Sequence, residues 1–248
     1  MKICDLKDKH SGQMGFVIGA GPSVHGVDPD LLRGHVVTCV NSTISKFGKV
    51  ANYFVADDIG VKHWNYFKIM LPGMDCTSLL FRDKLKNEVG HLDPEKVIFF
   101  SHKTWYEPSK KKYHDDGLIM TKEEPIIGAR TSAGSAIHLM HIMGCDPIVM
   151  LGCDCCYSGQ KRYYWQFPGE SPCYRLNKDK VFSTPNRGIH KGKPVDSHSM
   201  DFLDYWEELS KKSKAEGINI INASGGILES FPREELKVLL KKYGDKKT

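Results

Sequence analysis

The sequence predicts an α/β fold: a mostly parallel, Rossmann-like sheet with helices on both faces. Short β-rich runs alternate with helical patterns along the chain, the signature of strand–helix–strand units. None of those runs alternates between apolar and polar residues, as expected of strands covered on both faces. The first run ends in a glycine-rich turn, Gly19-Ala20-Gly21-Pro22-Ser23. A chain of 248 residues with 40% hydrophobic residues is long enough to fold as one domain, 1–248, around such a sheet.

Gly15-Phe16-Val17-Ile18-Gly19 reads as the first strand, Val36 to Val40 as the second and Tyr53 to Ala56 as the third. Lys96 to Phe100 and Ile148 to Leu151 are further buried strands, and Ile218 to Ile221 is the last. Thr131 to Met143 is a helix with small residues at its start, ended by Gly144. Ser199 to Glu216 is the longest, with Phe202, Leu203, Trp206 and Leu209 as its apolar stripe and Gly217 as its stop. Pro232 opens a third, with Leu236, Leu239 and Leu240 on one face. Two stretches carry no clear period. Lys103 to Ile127 is polar, and Ser158 to Ser197 mixes Tyr163, Tyr164, Trp165 and Phe167 with Lys161 and Arg162. So many aromatics predict that the second, about 158–197, is an aromatic and basic lid.

Composition narrows the class. The formal charge of +5 fits anionic or phosphorylated substrates without requiring nucleic acid. The N-terminal stretch is polar, and no window approaches the ~18 apolar residues of a membrane span. Eight cysteines in a chain this long do not make a disulfide scaffold. The expectation is a cytoplasmic protein with reduced thiols.

The glycine turn follows a buried strand, where glycines let the backbone approach a phosphate and helix dipoles favour its charge. The spacing is short of the full dinucleotide pattern, so a tight structural turn is the competing reading. Asn41 ends the second strand and Asp57-Asp58 the third. In open parallel sheets ligands lie across those ends, although capping is a common fate of Asn and Asp there. Asn41 can read a ribose or base, and the aspartates a ribose or a divalent ion. Thr131-Ser132-Ala133-Gly134 opens a helix, where hydroxyls cap and anions bind. Gly152-Cys153-Asp154 ends the next strand and is expected to flank the same crevice. Cys153 and Cys156 have C-x-x-C spacing but no second pair, so small strand-end residues are preferred to a metal site. His198 precedes the long helix and is the candidate general base; His138 and His141 are read as packing residues.

Taken together, Gly19-Ala20-Gly21-Pro22-Ser23, Thr131-Ser132-Ala133-Gly134, Gly152-Cys153-Asp154 with Tyr157, and Asn222-Ala223-Ser224 occur in an order that resembles bacterial sialyltransferases of the Campylobacter type. They are similar, too, to the motility accessory factor and pterin pyrophosphokinase-like Rossmann families. The resemblance spans roughly Gly15 to Leu240. It implies a glycosyltransferase that binds a CMP-sugar donor at the first glycine turn, with no cofactor. It implies nucleotide contacts at Asn41 and Thr131-Ser132, and leaving-phosphate contacts at Tyr157 and either Tyr163 or Tyr164. By the same resemblance His198, in His198-Ser199, is the catalytic base and a homo-oligomer is plausible. Ala20 stands where that group often has asparagine, and Asp57-Asp58 where it tends to be neutral, closer to the pterin enzymes. That departure keeps open a Mg²⁺-dependent pyrophosphokinase acting on a pterin-like hydroxymethyl compound, with Asp57, Asp58 and Asp154 as metal carboxylates. A non-catalytic nucleotide-binding protein is the third reading. The acceptor can be a glycan, a lipid-linked sugar, a small molecule or a modified nucleic acid.

Overall fold

A computed structural model describes residues 1–104, 106–107, 112–113, 120–128, 131–176, 186–190, 193–197 and 201–244. Seven strands form the main sheet: β1 Gly15–Ile18, β2 Val36–Val40, β3 Tyr53–Ala56, β4 Ser78–Arg82, β5 Val97–Phe100, β6 Ile148–Leu151 and β7 Ile220–Asn222. Their order in space is β7-β6-β1-β2-β3-β4-β5, and every pairing is parallel. The expected fold class is the observed one. Gly15 lies opposite Val36 on one side and Ile148 on the other, which makes β1 an interior strand between β2 and β6.

Successive strand residues point to opposite faces. Phe16 and Ile18 therefore enter one core layer and Val17 the other. The Val17 face is covered by α2 (Ser132–Ile142) and α3 (Asp201–Ala215), through Ile137, Met140, Trp206 and Leu209. The opposite face is covered by the short α1 (Ile44–Phe47), by Phe67, Leu71 and Tyr164, and by Leu239 of α4 (Leu236–Tyr243). Helix α2 is buried nearly all round, and that is why its sequence carries no polar stripe.

One strand escapes the sequence expectation, and two further elements start later than expected. β4 was not anticipated, because Ser78-Leu79-Leu80-Phe81-Arg82 has only three consecutive apolar residues, a run that reads equally as a helical turn. The last strand starts at Ile220 rather than Ile218, whose amide instead closes the end of α3 on the Ser213 carbonyl at 2.8 Å after Gly217 turns at φ 70°. Helix α4 starts at Leu236 rather than Pro232, because the preceding residues pair with β7: Asn222 N donates to Pro232 O at 2.8 Å and Glu234 N to Asn222 O at 3.2 Å.

The expected lid is anchored in its first part. Tyr164 N donates to Ala20 O, Asn65 N to Tyr174 O and Leu176 N to His63 O. Residues 163–176 thus form a fixed cover. Further along, Asn186–His190 and Lys193–Ser197 make an antiparallel hairpin. In the other unassigned stretch, His102–Thr104 pairs in parallel with Ile126–Gly128. Among the described residues no helix is long and apolar enough to cross a membrane.

Candidate functional site

The chain leaves β1 towards β2 on one side and later returns to β6 on the other. The carboxyl ends of β1 and β6 are therefore the switch point at which open parallel sheets bind ligands. A crevice of about 180 Å³ opens there. Of the residues singled out in the sequence, Gly19, Ala20, Gly21, Asn41, Thr131, Ser132, Ala133, Gly152, Asp154 and Tyr163 line it together. Val40, Cys153, Cys155, Cys156, Arg162 and Trp206 complete the wall.

The glycine turn has a structural part to play, the competing reading of its sequence. Three of its four amides are engaged: Gly19 N donates to Leu151 O at 2.7 Å, Gly21 N to Gly152 O at 2.8 Å, and Ser23 N to Asp154 Oδ2 at 3.1 Å. A Cβ on Gly19 or on Gly21 would stand 2.6 Å from Gly152 O. The glycines allow the loops after β1 and β6 to interlock, and a row of free phosphate-binding amides is not what they provide. Gly152 itself sits at φ 66°, a left-handed conformation that favours glycine. The Asn222-Ala223-Ser224 segment braces the same wall, since Ser224 Oγ accepts from Cys153 N at 2.9 Å.

The start of α2 faces the crevice. Thr131 caps the helix, its Oγ1 accepting from Gly134 N at 3.2 Å. The positive end of the helix dipole and its first-turn amides then lie at Ser132 and Ala133, beside Arg162, an arrangement suited to an anion. Gly134 is one residue deeper, its amide taken by the cap. Across the crevice Asn41 is held at φ 53°, with Nδ2 3.5 Å from Ser132 Oγ and a buried Oδ1 that has no hydrogen-bond partner. A non-glycine residue in that conformation with an unsatisfied amide oxygen is a feature of ligand sites.

Asp154 lies beneath the glycine turn. Burial pushes the pKa of its carboxyl up, against the opposing pull of Ser23 and Arg233.

Several expected residues lie elsewhere. Asp57 does not line the crevice. Its Oδ2 accepts from Ser135 Oγ at 2.7 Å and stands 3.3 Å from His102 Nε2, outside hydrogen-bond angles, while Oδ1 is 3.3 Å from Arg82 Nη1. Burial raises its pKa, but His102, Ser135 and Arg82 outweigh that and hold the carboxyl below its ordinary value. Asp57 thus secures the first turns of α2 from behind. Asp58 caps the following turn, its Oδ1 accepting from Gly60 N at 2.9 Å.

Tyr164 is also placed away from the expected phosphate. It is fully buried, with its hydroxyl donating to Ser42 O at 2.8 Å and 2.6 Å from Ser45 Oγ. Of the adjacent pair it is Tyr163, extended just before the 3-10 turn Tyr164–Gln166, that reaches the crevice. Tyr157, Pro22 and Ser23 line a neighbouring cavity of about 430 Å³ that meets the crevice at Asp154 and Cys156. His198 lies outside the described residues.

A third lobe, about 100 Å³, adjoins the crevice through Ala20, Asn41 and Tyr163. Its other walls include Asp58, Trp64, Tyr66 and Trp165. Sequence reasoning missed the part played here by Trp64 and Tyr66, which lie about a hundred positions from Tyr163 and Trp165 and carry no local motif. The thiols are quiet: all eight are free, and burial pushes Cys155 up to about 12 and raises Cys153 and Cys156. Among the described residues no group of three His, Cys, Asp or Glu side chains is arranged to hold a metal ion.

No known protein family matches the chain, and no curated protein is similar to it in sequence. In three dimensions it is similar to the MAf glycosyltransferase from Magnetospirillum magneticum AMB-1, with a TM-score of 0.52 and 13% identity. The match covers 94% of this chain and 37% of that one, so the chain spans little more than a third of its neighbour's length. The likeness establishes a shared α/β fold, the fold class predicted above.

Proposed function

We propose that the protein is a glycosyltransferase whose crevice binds a nucleotide-activated sugar, with CMP as the nucleotide. The observation that carries this reading is the convergence of the α2 N-terminus, Arg162 and the strained Asn41 on one crevice at the sheet's switch point. The fold shared with a glycosyltransferase supports it, as does the resemblance of the motifs to the sialyltransferases.

In this reaction an acceptor hydroxyl oxygen bonds to the anomeric carbon as the bond from that carbon to the phosphate oxygen breaks. The nucleotide leaves with the electron pair and the acceptor proton passes to a base, the role proposed for His198. Charge grows on the departing phosphate, where donors fixed in advance help most. The amides of Ser132 and Ala133, the Arg162 guanidinium and the Tyr163 hydroxyl are the groups proposed to meet it. The engagement of Asp57 with Arg82, His102 and Ser135 favours this reading over a metal-dependent pyrophosphoryl transfer.

Thermal unfolding with CMP, CDP, CTP, UDP, ADP, ATP and GDP, each with Mg²⁺ or EDTA, tests the proposal. A ligand at ~100 times its dissociation constant adds ~2.7 kcal/mol of stability. A shift with CMP or CDP that survives EDTA and is lost in Asn41→Ala is expected. A shift with ATP that requires Mg²⁺ would overturn it in favour of the metal-dependent reaction, and nucleotide binding without sugar release from any CMP-sugar would favour a non-catalytic protein.

A further inference from the structure

The anion site at the start of α2 has a negative charge behind it. We propose that Asp57 limits the crevice's hold on phosphate, so that the doubly charged nucleotide left by sugar transfer is released more readily than the singly charged donor. This rests on the glycosyltransferase reading and adds to it a residue that sets which charge state is retained.

Asp57 follows β3, Arg82 ends β4 and His102 lies just beyond β5, so the parallel sheet brings all three to the edge that carries the crevice. Asp57 meets the first turns of α2 twice. Its amide donates to Ser132 Oγ at 3.4 Å, and its carboxylate accepts from Ser135 Oγ at 2.7 Å. Ser132 itself lines the crevice. The carboxylate therefore stands about one helical pitch, roughly 5 Å, behind the first-turn amides. It faces the same positive helix end that a bound phosphate would face. Burial opposes its ionisation, but His102, Ser135 and Arg82 hold it charged. A charge so enclosed is screened by salt far less than one on the surface.

The Asp57 carboxylate offsets Arg82, whose guanidinium would otherwise add a positive charge behind the helix. The contributions of fixed charges add, so removing the carboxylate strengthens the attraction for an anion in the crevice whatever its neighbours contribute. The effect scales with the charge of the ligand. The phosphodiester of a nucleotide sugar carries one negative charge, and the monoester that leaves carries close to two. With the phosphate at roughly 8 Å and an effective dielectric constant of about 40, each unit of ligand charge costs about fivefold in affinity. The product is thus weakened about fivefold more than the donor, which eases a step that commonly limits turnover. The carboxylate also opposes the charge that grows on the phosphate as the bond breaks, so its benefit lies in release and not in chemistry.

Calorimetry on the full chain at about pH 8, where CMP is a dianion, tests this with CMP, the monoanionic methyl ester of its phosphate, and neutral cytidine. In Asp57→Asn, whose amide oxygen can still accept from Ser135, CMP is expected to bind about 25-fold more tightly and the ester about fivefold, with cytidine unchanged. The ratio of CMP to ester is a readout that a purely structural role would not move, because a displaced α2 weakens both alike. Arg82→Gln removes the opposite charge and should weaken CMP more than the ester. The midpoint of thermal unfolding checks that each variant is folded, and if Asp57→Asn is not, the Arg82→Gln series decides alone. An unchanged ratio of CMP to ester in the folded variants would overturn the proposal, as would a weaker hold on CMP in Asp57→Asn. If both ligands bind with that ratio unchanged, the role of Asp57 alone is rejected, whereas failure of both to bind the unaltered protein and the variants rejects the donor reading.

Discussion

Adding one methyl group at Gly21 separates two explanations of the glycine turn. If the glycine is there to admit a phosphate, Gly21→Ala weakens nucleotide binding and leaves the empty protein as stable as before. The geometry demands something else. The new Cβ would overlap Asp154 Oδ2 and stand 2.6 Å from the backbone oxygen of Gly152. Ordinary contact begins near 3.4 Å, so the β1 and β6 loops must part by about 0.8 Å, and a backbone oxygen cannot swing aside as a side chain can. Overpacking of this kind costs about 1–3 kcal/mol, which for a chain of this length lowers the midpoint of unfolding by about 2–12 °C. Gly26→Ala is the control five residues away, since nothing lies within 4 Å of its Cβ and its backbone conformation is ordinary. That substitution should be neutral or stabilising by up to about 1 kcal/mol. Urea unfolding of both variants without ligand gives the answer. Unchanged stability in Gly21→Ala, with only nucleotide affinity reduced, would refute the interlock.

Thr131→Ala removes the cap of α2 and should cost about 0.5–2 kcal/mol by urea unfolding, together with a loss of CMP affinity by calorimetry. Tyr164→Phe removes a buried hydroxyl bonded to Ser42 and Ser45 and should cost about 1–3 kcal/mol, while CMP affinity stays within about twofold because the ring is not in the crevice. His138 is buried, with Nε2 donating to Thr121 O at 2.7 Å, and burial pushes its pKa down to about 4. Between its ordinary value and about 4 the unfolded chain binds the proton and the native one does not. Stability is therefore lost as pH falls through that window, by about 3 kcal/mol at its lower end. Asp57, held low, adds loss at still lower pH, while Asp154, held high, acts in the opposite direction. Subtracting the pH profile of His138→Gln isolates the histidine, and parallel profiles would show that it does not titrate this way.

What the sequence determined follows from where the physics is local. Buried parallel strands are continuous apolar runs, so β2, β3 and β6 were legible residue for residue. Caps and stops such as Thr131, Gly144 and Gly217 act on their own neighbours, and they placed α2 and the end of α3. The crevice was legible as a set of strand ends, because a parallel sheet gathers Gly19, Asn41 and Gly152 at one edge whatever else the chain does.

The tertiary structure decided what each of those residues is for. Asp57 and Asp58 are adjacent in the chain, yet one is enclosed by Arg82, His102 and Ser135 and the other borders the aromatic lobe. Tyr163 and Tyr164 divide in the same way between crevice and core. A neighbour in sequence gives no sign of which charge or ring from a distant segment will occupy the space beside it. The corner formed by Trp64, Tyr66, Tyr163 and Trp165 exists only once the cover returns to Asn65 and Ala20. The glycine turn is the clearest case, because its spacing fits a phosphate and an interlocked loop equally, and the difference lies in whether Gly152 stands opposite.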